Sequence, residues 1–459
     1  CLGVPCRRPR KPIGRATLVA PRKTPLPHFY ITLGSVLIAL TLADTFFTVF
    51  NYNERGLLVN RAIAWEWRFL HWLFRPLGLQ TRSRIYRAMT GFTLLSGILI
   101  WVAGIVVGFA FIYWGAQDLG SLAMLDDAPD GFVGALYFSI AQFSTVGVDN
   151  VEARSNIISI LSVSETLSSV LLLSMVITYL VNIFNSIEDL RKYCACFTSR
   201  SEQVDSPLTA LAPFLPREEP SSLENHLANT RQAMNSYFDS IAADHSAIYF
   251  NSGKPRFMMP FAVFFTAGTI EGLSYGLGAG HPNSLLPELL RLSESLESNR
   301  RQIYTLFRWR EPDGGDPLGI NAFTEAAEVA ARIPEDKPLA DPGLINRKPL
   351  PVRVAKNLNV KAYKEQQKQE QLQTPEAYVA RFVRLRQVVT RLAQLDPPDD
   401  WRKEYDLYAA WIKDAPITDD FIRRISGLFD YRPVVKVGPD SSGAPLSMYG
   451  WQSEDGSDN

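Results

Sequence analysis

Neither sign of charge is in excess: 47 Lys and Arg stand against 47 Asp and Glu, for a formal net charge of +0. That balance removes the electrostatic argument for nucleic-acid binding. Chemistry-bearing residues are also sparse. The five histidines, His28, His71, His226, His245 and His281, are scattered, and there are only four cysteines. No metal-cluster, phosphate-loop or nucleophile motif can be assembled from them, so no enzymatic activity and no bound cofactor are expected. Glycine-rich turns are nearly absent too. The one candidate, YGLGAGHP (275–282), puts Gly276, Gly278 and Gly280 after a helix-like segment instead of a strand, with no βα alternation following, so no nucleotide partner is expected.

What the chain does have is an uneven distribution of apolar residues. The strongly apolar stretches are concentrated before residue 186, and the remainder is charged, polar and proline-dotted. Three runs, 29–50, 89–114 and 156–184, exceed the roughly 20 residues needed to cross a ~30 Å hydrocarbon core. They predict three transmembrane helices and lipid as a partner. Between the second and third lies GFVGALYFSIAQFS (131–144), at about 14 residues too short to span and suited to a re-entrant helix. Re-entrant backbone persists at membrane depth only where protein buries it or water reaches it. The segment that follows, 144–150, is therefore expected to line something wet.

That segment contains TVGVD, after a short helix and before a long inner one. In this setting it resembles the pore loop of the potassium-channel superfamily, whose filters are TVGYG-type loops that replace the ion's hydration shell with carbonyl oxygens. The resemblance covers 89–186. It extends less specifically to ADTFFTVFNYNERG (43–56), which looks like the first helix of bacterial members with an extra N-terminal span. It implies an all-α membrane protein with a tetrameric pore-loop fold, to which apolar spacing after residue 186 adds a mainly α-helical cytoplasmic domain. It also implies that K+ is the permeant ion of a passive cation channel. The filter would be Ser144, Thr145, Val146, Gly147, Val148, Asp149 and Asn150, with potassium ions at Thr145, Val146, Gly147 and Val148. One loop per chain cannot close a four-fold filter, so a homotetramer is implied.

The departures lie at the outer end. Val148 replaces the family's aromatic residue, Asp149 its second glycine and Asn150 its aspartate. Asp tolerates a positive φ at a cost on the order of 1 kcal/mol, so the backbone is expected to keep the family's path. Four Asp149 carboxylates would form a ring that attracts cations without specifying which. A non-selective cation channel is thus one alternative, and a non-conducting receptor or scaffold is the other.

Glu165 is ionisable inside an apolar run, and SETLSS resembles the Glu-x-x-x-Gly that opens the inner helix in related channels. By that resemblance it supports the filter by holding the pore helix, with Ser169 at the family's glycine position; a glutamate near the outer interface is the plainer reading. Ser174, Thr178 and Asn182 recur at helical spacing and fit either a wet pore lining or contacts between helices. Gly104 and Gly108 form a GxxxG pair that permits close helix packing.

Charge asymmetry sets the expected topology. The connector 51–88 carries Arg55, Arg61, Arg68, Arg75, Arg82, Arg84 and Arg87, whereas 115–130 holds no Lys or Arg and four acids. The filter then faces outward, and the C-terminus is cytoplasmic. The layout points to a bacterial inner membrane. AIAWEWRFLHWLF in the connector fits either a basic amphipathic helix at the membrane surface or a solvated link. Residues 1–28 are basic and expected to be disordered, and the long apolar run after them is a poor signal peptide. Cys194 and Cys196 read as buried or idle thiols. In 187–435, spacing predicts helices near 221–248, 258–275, 284–308, 320–332, 374–396, 399–413 and 417–429, with an exposed helix or linker at 361–373; 436–459 is expected to be a disordered tail.

Overall fold

The computed structural model describes residues 27–50, 59–74, 79–125, 129–197, 207–215, 220–243, 245–249, 257–278, 281–332 and 375–428. The expectations for 1–26, 361–373 and 436–459 lie outside these residues. The chain is a mostly helical, multi-pass membrane protein. Three helices are long and apolar enough to cross a membrane: Pro27–Val49, Gly91–Asp118 and Asn156–Ala195.

Two compact units divide the chain. The first takes its described residues from 1–72, 91–183 and 243–246, the second from 73–90, 184–242 and 247–459. In the first unit α1 (Pro27–Phe50), α2 (Val59–Phe74) and the apolar part of α3 (Leu79–Asp118) precede strand β1 (Leu122–Met124). Then come α4 (Gly131–Phe143), strand β2 (Val151–Ala153) and α5 (Asn156–Ala195), whose last turns belong to the second unit. The Gly104/Gly108 pair lets α1 lie directly on α3. A Cβ at Gly108 would stand 2.6 Å from Ile38 Cγ1, and one at Gly104 would strike Thr41. Tyr30 of α1 continues the contact by packing on Trp114, ring centroids 4.2 Å apart.

The second unit is built from helices α6 (Pro207–Leu211), α7 (Pro220–Ala243), α8 (Met259–Glu271), α9 (Pro287–Phe307), α10 (Ile320–Ala331), α11 (Pro375–Leu392) and α12 (Tyr405–Leu428). Its core is dense in aromatic rings. Phe323, Phe382, Tyr408 and Trp411 are fully buried, and Phe323 stacks on Tyr408 at 4.4 Å. α8 is buried on every side from Met259 to Ile270, in keeping with a stretch that carries no charge before Glu271.

One detail corrects the sequence reading. The expected pair of helices 399–413 and 417–429 is a short 3-10 turn, Trp401–Glu404, followed by one helix that runs through Pro416. Proline lacks the N–H that would bond the carbonyl four residues back, here that of Ile412. Gly315 N–H donates to that carbonyl at 3.1 Å instead, and buried Trp411, Ile412 and Ala415 hold the helix to the core across the proline. In YGLGAGHP, Gly276 lies where a Cβ would meet Val389 of α11, so that glycine serves close packing.

Candidate functional site

α4 is short because its sequence allows only 13 residues of helix, roughly 20 Å long. Its last turn closes in a Schellman arrangement. Val146 N–H donates to Ala141 O at 3.1 Å and Thr145 N–H to Gln142 O at 3.0 Å, with Thr145 left-handed at φ 61. Gly147 is also left-handed, φ 69, and its N–H reaches Ala141 O as well. The sequence reading placed the positive φ at Asp149; within 144–150 it falls at Thr145 and Gly147 instead. The cause is local: the chain must reverse as it leaves α4, and that reversal comes at Thr145. A β-branched residue in this conformation is strained by on the order of 1 kcal/mol.

Those bonds turn the N–H groups of 145–147 back onto the helix end. The carbonyls of Ser144 to Asp149 receive no hydrogen bond from any other described residue. Ser144, Thr145, Val146 and Asp149 are exposed, Val146 to 79%. The far end is pinned by an antiparallel ribbon in which Leu122 faces Ala153 and Met124 faces Val151. Leu125 N–H extends it by donating to Asn150 O at 3.0 Å. A helix end and a ribbon thus hold an open segment of carbonyl oxygens between them.

α4 itself is braced from both long helices beside it. Glu165 of α5 is fully buried, and its carboxyl accepts the Tyr113 hydroxyl of α3 at 2.7 Å and meets Ser139 Oγ of α4 at 2.5 Å. Ser139 Oγ also donates to Val106 O of α3 at 2.8 Å, and Thr166 Oγ1 to Gln142 O at 3.2 Å. Tyr113 meets Phe138 edge-on at 4.8 Å. Glu165 thus contacts α4 through Ser139 and, among the described residues, makes no hydrogen bond to 144–150.

Ser174 and Thr178 lie on the exposed side of α5, each hydroxyl donating to the carbonyl four residues back, at 3.1 Å. Asn182 continues the row but is half-buried. Opposite them Leu172, Val176, Tyr179 and Ile183 are buried.

Sequence reasoning passed over Asp44. This fully buried acid of α1 accepts Val59 N–H, capping the start of α2, at 3.2 Å, and Trp101 Nε1 of α3 at 3.0 Å. Trp101 meets Tyr179 of α5 edge-on at 5.3 Å. The signal was present, since Asp44 stands in an apolar run just as Glu165 does.

The fold and this site define an integral membrane protein with a braced half-length helix between two spanning helices. Compared with known protein families, curated proteins and solved structures, the chain matches none of them.

Proposed function

We propose that the chain is one subunit of a homotetrameric, potassium-type cation channel that conducts passively through residues 144–150. The observation that carries this reading is the open run of carbonyls from Ser144 to Asp149, set at the end of a short braced helix. Four such runs around an axis would offer rings of oxygen from Thr145, Val146, Gly147 and Val148 in place of ion hydration. The C-terminal end of α4, negative by its peptide dipoles, would favour a cation beside it. The exposed Val146 side chain would be covered by the neighbouring subunit. Ser174, Thr178 and Asn182 supply hydroxyl and amide groups for a wet cavity below, and Glu165 keeps α4 in place through Ser139. By the charge asymmetry of the connector, residues after α5 lie in the cytoplasm.

Asp149 supports a second reading, a non-selective cation pathway, because its exposed carboxylate stands where the family has glycine. The test is the reversal potential of the purified protein in planar bilayers under opposed potassium and sodium gradients, repeated with Asp149→Gly. Reversal near the potassium equilibrium value is expected. A reversal near zero that moves toward potassium in Asp149→Gly assigns the loss of selectivity to the carboxylate. No current from verified tetramers overturns both readings in favour of a scaffold.

A further inference from the structure

α2 has three distinct sides. At ~100° per residue, Val59, Ile63 and Trp67 share one face, and all three are buried. That face is fastened to the spanning helices: Val59 Cγ1 and Ile63 Cδ1 approach Gly97 of α3, Asp44 caps Val59, and Glu66 accepts hydroxyls from Thr93 at 3.1 Å and from Ser96. A solvated link would not be tied down this way.

The adjoining flank is the opposite case. Trp65 and Trp72 are 64% and 68% exposed, with Phe69 and Leu73 exposed between and beside them. The rings form a continuous strip: Trp65 and Phe69 stack with centroids 5.3 Å apart at 5°, and Phe69 meets Trp72 at 6.0 Å. Next to that strip, on the side away from the buried face, stand the exposed Arg61 and Arg68. So large an exposed aromatic strip marks a binding face. Its position says what covers it. The α3 contacts, Thr93, Ser96 and Gly97, fall in the first turns of an apolar stretch that begins at Gly91, and Asp44 lies in the last turns of the span that ends at Val49. α2 therefore lies near the ends of two membrane spans, the depth at which tryptophan rings and arginine side chains partition.

We propose that α2 is seated in the membrane interface, with Trp65, Phe69 and Trp72 among the lipids and Arg61 and Arg68 on the phosphates of anionic phospholipid. The inference stands on the membrane class of the protein and does not depend on ion conduction. It is tested on the purified full chain by counting retained lipid in native mass spectra after titration with phosphatidylglycerol or phosphatidylcholine. Wild type is expected to retain phosphatidylglycerol preferentially. In Arg61→Gln/Arg68→Gln, two exposed positions of which Arg68 bonds to Ala64 O of its own helix, affinity for phosphatidylglycerol should fall by about 30-fold, at one surface charge interaction per arginine. Equal retention by wild type and variant overturns the arginine assignment. Brominated-acyl phosphatidylcholine vesicles test the aromatic strip independently. Tryptophan quenching should be markedly smaller in Trp65→Phe/Trp72→Phe. Unchanged quenching places these rings outside the lipid, and resistance to both the brominated lipid and aqueous acrylamide puts another protein chain on the strip; either result overturns the proposal.

Discussion

Two buried acids show how the same residue type is stabilised in different ways. Glu165 sits in a spanning helix with a phenol and a hydroxyl against its two oxygens, so removing the carboxyl takes the acceptor from the buried Tyr113 hydroxyl, whereas Ser139 keeps Val106 O. Glu165→Ala is expected to cost about 3 kcal/mol and Glu165→Gln less, because an amide still offers an acceptor; thermal unfolding in detergent would show the difference. Asp420, in the second unit, is ionised. Burial works against the charge, but bonds from Tyr304 at 2.6 Å and Arg424 at 2.6 Å, with the charge of Arg423, outweigh it and hold the carboxyl below its ordinary range. A depressed acid stabilises fully above its unfolded pKa, and that stability is lost as pH falls through the lower folded value. Asp420→Asn should therefore lower stability by about 2 kcal/mol at neutral pH, and the loss should shrink as the pH is taken below 3.8, the ordinary aspartate value. Denaturant titrations at pH 7 and at acid pH would read this out. Glu271 runs the other way, since burial raises it despite Arg381 and Trp411. Its contribution is full below the unfolded pKa and is lost as pH rises through the folded one.

At the scale of elements, packing overrides local propensity in two places. α12 keeps its course through Pro416 because a loop N–H, that of Gly315, takes the bond the proline cannot supply. A mid-helix proline ordinarily costs about 3 kcal/mol. Here Pro416→Ala should change the unfolding midpoint little, whereas Gly315→Pro, which deletes the compensating N–H, should lower it clearly. α1 and α3 approach through glycine, and the approach leaves no room for a side chain at Gly104. Gly104→Val would push on Thr41 and is expected to cost about 2 kcal/mol, measurable as a lower melting temperature in detergent. Asp44 links the same elements to α2, and Trp101 carries the contact to Tyr179 on α5. The connector helix and the inner helix are thus linked through Asp44 and Trp101.

At the scale of the whole molecule, the proposed channel requires four chains, so the detergent-solubilised protein should have four times the 51.4 kDa protomer mass by light scattering. A monomer would remove the structural basis for the proposal. The sequence by itself determined the three spans and the half-length helix. Lipid forces each spanning segment to satisfy its own backbone, so length and apolarity are written locally. The glycine pair of α3 was legible for a similar reason, as small residues in an apolar run, whereas Glu165 stood out as a charge there without its burial being decided. Only the tertiary structure decided who meets whom. Glu165 finds its partners 26 and 52 positions away, and Arg381 reaches Glu271 across 110. The unbroken α12 likewise depends on a bond to a residue far outside the local pattern, that from Gly315 N–H. Periodicity reports which face of an element is apolar; it carries no record of the neighbour that covers that face, and polar partners in a core are chosen by geometry that exists only once the helices have packed.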